Sequence, residues 1–166
     1  MRRNQSGFTL VELAIVVSII GILAALSAVV FHKSRNRVRA TALINDLRVY
    51  DEAFGRYFLE VQDYPPSESN ADDFPDGMDA YLPASWNQPT PIGGLYLYQI
   101  DNRENPQQRR AYILMRENDG DSPSIATTDA VLQIVDNALD DGDLDSGRFV
   151  RVSQKRVLYY LINPPS

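Results

Sequence analysis

Gly7-Phe8-Thr9-Leu10-Val11-Glu12 opens an apolar run that continues to Phe31, and the reading of this stretch decides how the chain is built. From Phe8 to Phe31 there are 24 residues, and Glu12 is the only ionisable side chain among them. A helix needs about 20 apolar residues to cross a hydrocarbon core ~30 Å thick, so the run is long enough to span a membrane. A cleaved secretory signal competes for the same residues. Arg2 and Arg3 supply a basic amino terminus, and Ala24-Ala25-Leu26-Ser27-Ala28 offers small residues for cutting. A signal core is only about 7 to 15 residues long, which favours a retained anchor here. An acid near the centre of a bilayer costs about 2.5 to 3.5 kcal/mol and calls for a cationic partner. No Lys, Arg or His lies in the run. The partner is therefore another chain or a newly created amino terminus, and the plain alternative is that Glu12 snorkels to the nearby headgroups.

The stretch Ser6-Gly7-Phe8-Thr9-Leu10-Val11-Glu12-Leu13 resembles the prepilin-peptidase recognition motif of type IV pilins and of the related pseudopilins of type II secretion systems. A short basic leader ending in Gly, a Phe after it, and a Glu at the fifth position beyond the cut are all present. The resemblance implies that a membrane aspartic peptidase cuts between Gly7 and Phe8 on the cytoplasmic side. It also implies that the new amino group of Phe8 is N-methylated, and that Glu12 pairs with the amino terminus of a neighbouring subunit during fibre assembly. Such a contact would offset part of the cost of burying each charge.

Beyond the run, Leu43, Leu47, Tyr50, Phe54, Tyr57 and Val61 are spaced 4, 3, 4, 3 and 4 residues apart, which keeps them on one helical face. No proline precedes Pro65. The pattern predicts one helix from about Phe8 to about Val61, on the order of 80 Å long. Asp63-Tyr64-Pro65-Pro66 ends it, because proline lacks the backbone donor and pushes the preceding residue out of the helical region. Four segments follow from this reading: a leader at 1–7, a transmembrane part at 8–31, an amphipathic continuation at 32–62, and a globular periplasmic domain at 63–166.

Charge divides the chain in two. Residues 1–56 carry eight Lys or Arg and four Asp or Glu, a net of +4; residues 57–166 carry eight against eighteen, a net of −10. The basic cluster Lys33, Arg35, Arg37 and Arg39 directly after the apolar run would by the positive-inside rule place the carboxyl terminus in the cytoplasm. The peptidase motif implies the reverse, a cytoplasmic leader, and long soluble domains translocate largely regardless of charge. The cluster then faces anionic headgroups, acidic patches of neighbouring subunits, or simply solvent. An acidic soluble part argues against nucleic acid as the main partner, since phosphate neutralisation needs concentrated cations. With no Cys, an exported domain relies on its core or on a metal and not on disulfides. That absence tilts the resemblance toward the pseudopilin branch, because type IV pilins often close a carboxyl-terminal loop with a disulfide.

The globular part opens with a proline-rich loop from Tyr64 to Gly94 that Tyr81, Leu82 and Trp86 pin to the core. Leu95 to Ile100 and Arg110 to Met115 have strand composition, with a turn at Asp101 to Pro106 between them. After Asn118-Asp119-Gly120-Asp121 the period changes. Val131, Ile134, Val135 and Ala138 predict a short helix from about Asp129 to Leu139, capped by Thr127, Thr128 or Asp129. Phe149 to Val152 and Val157 to Ile162 read as a closing hairpin. The fold class is α+β: a pilin-like fold with a long N-terminal α-helix, its first half membrane-spanning, packed on a C-terminal antiparallel β-sheet domain.

Asp140, Asp141, Asp143 and Asp145 with Gly142 and Gly147 form an oxygen-rich loop of the kind calcium prefers, and Asp141, Asp143 and Asp145 are its candidate ligands. The loop is no EF-hand: counting from Asp141, Gly147 falls at position seven and Val152 stands at position twelve. The other reading is a solvated acidic turn. The chain holds one His and no nucleophile-and-base pattern, so a membrane-anchored enzyme is a distant reading, as is a secreted binding module. The function expected is that of a pseudopilin, a structural subunit of a type II secretion filament assembling from the inner membrane to drive protein export. A type IV pilin for adhesion, twitching motility or DNA uptake is the alternative. The partners implied are other pilin-like subunits, the prepilin peptidase, and the inner-membrane assembly platform with its ATPase. The chain would cross the inner membrane once, with its C-terminal domain in the periplasm.

Overall fold

The computed structural model describes residues 9–66, 73–101, 109–117, 124–125 and 128–161, with the backbone alone for 27–29. Helix α1 runs over Leu10–Val61, followed by a short 3-10 turn at Ala84–Asn87, strands β1 (Leu95–Asp101) and β2 (Arg110–Arg116), helix α2 (Asp129–Leu139), and strands β3 (Phe149–Ser153) and β4 (Arg156–Tyr160). The rest of the expected turn after Asp101, the segment 118–121, the processing residues Gly7 and Phe8, and the cap Thr127 lie outside the described residues.

The chain divides into two compact units, one up to Asn36 and one from Arg37 onward. The described part of the first is helix α1 as far as Asn36 and the Thr9 that precedes it. Its apolar side chains face outward, Leu10, Ile20 and Leu26 at 86%, 59% and 65% exposure. Nothing among the described residues of the unit covers them, as expected of a segment whose solvent is lipid.

The second unit builds its core where the remainder of α1 meets an antiparallel sheet of strand order β1-β2-β4-β3. Ala40, Leu43, Leu47, Tyr50, Ala53 and Phe54 are fully buried along one helical face. They pack with the inward row of the sheet, Tyr96, Tyr98, Ile113, Met115, Val157 and Tyr159. Register explains that row. Tyr98 lies opposite Ile113 and Tyr96 opposite Met115 in β1–β2, while Ile113 faces Tyr159 and Met115 faces Val157 in β2–β4, so alternation sends all six to one side. Leu95, Leu97 and Leu114 make a smaller cluster on the other side.

Aromatic contacts weld the helix to the sheet. The Phe54 ring stacks on Tyr98 at 4.7 Å, and Tyr50 meets Tyr96 and Trp86 edge-on at 5.0 Å each. Such pairs add about 0.5–1.5 kcal/mol beyond their buried area. Trp86 and Leu82 are buried as the loop reading expected, and Met78 and Ile92 join them. The loop enters β1 through Gly93 and Gly94, both at positive φ. A side chain at either would run into backbone, Ser124 at the first and Arg116 at the second.

Three expectations are corrected. Val61 stays 51% exposed, because α1 ends there with Gln62 at φ 61 and the face runs out before the core can reach it. In α2 the buried residues are Val131, Leu132, Val135 and Asp136, whereas Ile134 is 40% exposed and Ala138 is exposed. The buried face is turned by about one residue, since Leu132 and Asp136 are four apart and sit beside the 131/135 pair. Thr128 occupies the N-cap of α2 but makes no side-chain capping bond, and Asp129 instead pairs with Arg151.

Candidate functional site

Two acidic sites stand out, a single carboxylate in the first unit and a cluster in the second. At the start of α1, Thr9 and Glu12 bind each other reciprocally. The Thr9 backbone N–H donates to Glu12 Oε2 at 2.9 Å, and the Thr9 hydroxyl donates to the same oxygen at 2.7 Å. In return the Glu12 N–H donates to Thr9 Oγ1 at 3.3 Å. This is a capping box, with Thr9 as N-cap and Glu12 at the third helical position. It satisfies two of the backbone donors that every helix start leaves without partners.

The box supplies a partner for Glu12 that the sequence reading overlooked. A Thr three residues before a Glu and ahead of an apolar run is the sign that could have found it. Both bonds to the Glu12 carboxylate go to Oε2, which leaves Oε1 of the same carboxylate without a partner among the described residues. Phe8 and Gly7, the other expected processing and assembly residues, lie outside the described residues. Leu10, Val11, Ala14, Ile15, Ser18 and Ile19 line a shallow apolar concavity of about 450 Å³ beside the box. Its floor is low because Ala14 and Ser18 are small, and the Ser18 hydroxyl is spent on the Ala14 carbonyl at 2.8 Å.

The second group sits where α2 runs into β3. Asp136 is completely buried on the apolar face of α2, and neither of its carboxylate oxygens has a hydrogen-bond partner. One oxygen from each of Asp136, Asp140 and Asp141 lies within 4.8 Å of the others. Burial pushes Asp136 up to about 6, and the negative charges of Asp140, Asp141 and Asp143 push in the same direction. A buried carboxylate without a donor demands either a proton or a cation.

The loop that follows is shaped around these acids. Asp140 accepts the backbone N–H of Arg148 and, at 3.1 Å, that of Phe149, and so closes the loop onto β3. Gly147, at φ 79, lies directly under the Asp140 carboxylate and leaves room for it. Asp141 accepts the Asp143 N–H at 2.9 Å and the Ser146 hydroxyl at 3.1 Å, while Asp143 accepts the Asp145 N–H at 3.1 Å. The loop is tied to α1 through Arg148, which binds Asp51 at 3.1 Å and the Tyr160 carbonyl at 3.0 Å and lies over the Tyr159 ring.

Of the three expected ligands, only Asp141 belongs to the converging cluster; Asp143 and Asp145 point their carboxylates to turn bonds or outward. Asp136 and Asp140 complete it. Asp136 was legible as an acid one helical turn after Leu132, on a stripe that is otherwise apolar, once the stripe is placed correctly.

Comparison with known proteins bears on both units. The family described as a prokaryotic N-terminal methylation motif matches residues 2–28. The chain is 33% identical to the type II secretion system core protein G of Pseudomonas aeruginosa over 115 residues, 64% of this chain and 74% of that protein. It is 32% identical to the core protein G of Aeromonas hydrophila over 71 residues and 31% identical to that of Klebsiella michiganensis over 67 residues. Those two matches cover 43% and 40% of this chain and 50% and 47% of the relatives. No solved structure matches the chain significantly.

Proposed function

We infer the function from one premise: the chain belongs to the family of type II secretion system core protein G, the pseudopilins. Its work is mechanical. After cleavage between Gly7 and Phe8, subunits stored in the inner membrane by residues 8–31 are added to a filament by an ATP-driven platform, and the filament pushes folded cargo outward. In this account Glu12 is the assembly joint. The capping box holds its carboxylate at the helix start, and the amino terminus of Phe8 from a neighbouring subunit approaches Oε1.

The relationship to the Pseudomonas protein carries this reading, since 115 aligned residues reach well past the leader and apolar run into the globular part. The test is genetic. Removing the chain from its host should abolish export of folded cargo and leave twitching motility intact. Loss of motility with export unaffected would favour the type IV pilin alternative.

Asp136, Asp140 and Asp141 would hold a calcium ion, with the loop 140–147 shaped by Gly142 and Gly147 around it. The supporting observation is that both oxygens of a fully buried Asp136 lack donors. All-oxygen donors suit a hard cation, which would supply the positive charge this burial lacks. Calorimetry with calcium on the purified chain tests it, and an absence of heat at millimolar calcium would end it.

A further inference from the structure

We propose that Lys33, Arg35 and Arg37 form a cationic collar that holds the anionic phospholipid headgroups of the leaflet on the carboxyl-terminal side of the span. The proposal rests on the reading above that residues 8–31 cross the bilayer. All three side chains are exposed on α1, two to six residues beyond Phe31. No neighbouring acid on the helix neutralises them: no Asp or Glu occurs between Glu12 and Asp46, so none stands three or four residues from any of the three. Among the described residues none of the three takes part in an ion pair.

Their placement selects the partner. At about 100° per residue, Lys33 and Arg37 fall within about 40° of each other, while Arg35 lies on the far side of the helix. A protein docking on one face could meet only part of this charge, whereas a headgroup layer surrounds the helix. The axial extent agrees as well. Lys33 to Arg37 is about 6 Å at 1.5 Å per residue, and the headgroup layer is about 5 to 8 Å deep on each side of the ~30 Å core. Long Lys and Arg side chains can reach phosphates from this position while their stems stay against the apolar boundary. The collar would resist withdrawal of the subunit from an anionic leaflet, so assembly must break it for each subunit added.

The test uses the full chain reconstituted in nanodiscs of equal phosphatidylglycerol and phosphatidylcholine, then released gently and weighed by native mass spectrometry with its retained lipids. The wild type should retain phosphatidylglycerol preferentially. The variant K33Q/R35Q/R37Q should lose about fivefold of that preference per cation removed, whereas R48Q/R56Q/R156Q, with the same net charge, should keep it. No preference in the wild type, or a preference undiminished in K33Q/R35Q/R37Q, overturns the collar. Cross-linking between copies that falls in this variant while its lipid preference stays would assign the cations to a second subunit instead. Extraction of the wild type by alkaline carbonate would overturn the spanning reading itself, whereas resistance without lipid preference would overturn the collar alone.

Discussion

Gly147→Ala isolates the contribution of the acidic loop to the fold. Gly147 sits at φ 79, where an added Cβ costs about 1–2 kcal/mol. The same Cβ would come within 2.7 Å of the Asp140 carboxyl carbon and 2.9 Å of its Oδ1, so that side chain must leave. Its departure strands the N–H groups of Arg148 and Phe149 that it accepts, and hydrogen bonds to a charged group are worth about 1.5–3 kcal/mol each. Because water can replace part of that loss, about 3 kcal/mol in total is a conservative sum. For a unit beginning at Arg37 this corresponds to a fall in Tm of about 10 °C. The single Trp, Trp86, is fully buried in the core, so its fluorescence reports the melt without labelling. A Tm within about 3 °C of wild type would refute the reasoning that Asp140 closes the loop onto β3.

Calcium at a hundred times its dissociation constant should raise the melting free energy by about 2.7 kcal/mol, and D136N or D141N should remove that increment; an equal increment in D136N would exclude Asp136 as a ligand. Asp46 offers a pH signature: burial raises its pKa, and the bond from Tyr96 at 2.9 Å lowers it by less. For an acid raised in the fold, the favourable contribution is complete below the unfolded pKa of about 3.9 and lost as pH rises through the folded value. Asp46→Asn can still accept from Tyr96, so its Tm should gain on wild type between about pH 4 and pH 7 and show no such gain near pH 3. A gain that shrinks with rising pH would contradict this sign.

Much of the architecture was legible from period and punctuation. The 4-3-4-3 spacing from Leu43 to Tyr57 marked the core face of α1, and Pro65-Pro66 marked its end. The strand segments were read to within a residue or two because β-branched and aromatic runs met clear turn residues. Strand order was not legible: β4 and not β3 lies beside β2, a choice made by long-range packing of Val157 and Tyr159 with α1. The burial of Asp136 was hidden for a related reason. Two helical faces of α2 were almost equally apolar, and only the sheet decided that Leu132 and Asp136, in place of Ile134 and Ala138, should turn inward. The Thr9–Glu12 box was local and present in the sequence. It was missed because an acid in a membrane run suggested distant partners before a neighbour three residues away.

The central claim is that Glu12 joins one subunit to the amino terminus of the next. Wild-type chain and Glu12→Ala should be expressed together with the assembly platform, and the sheared filament fraction analysed by mass spectrometry. The account predicts that both chains are cut after Gly7 and remain in the membrane, and that only the wild type appears in filaments, with Phe8 at its amino terminus. Equal incorporation of the Glu12→Ala chain would contradict it.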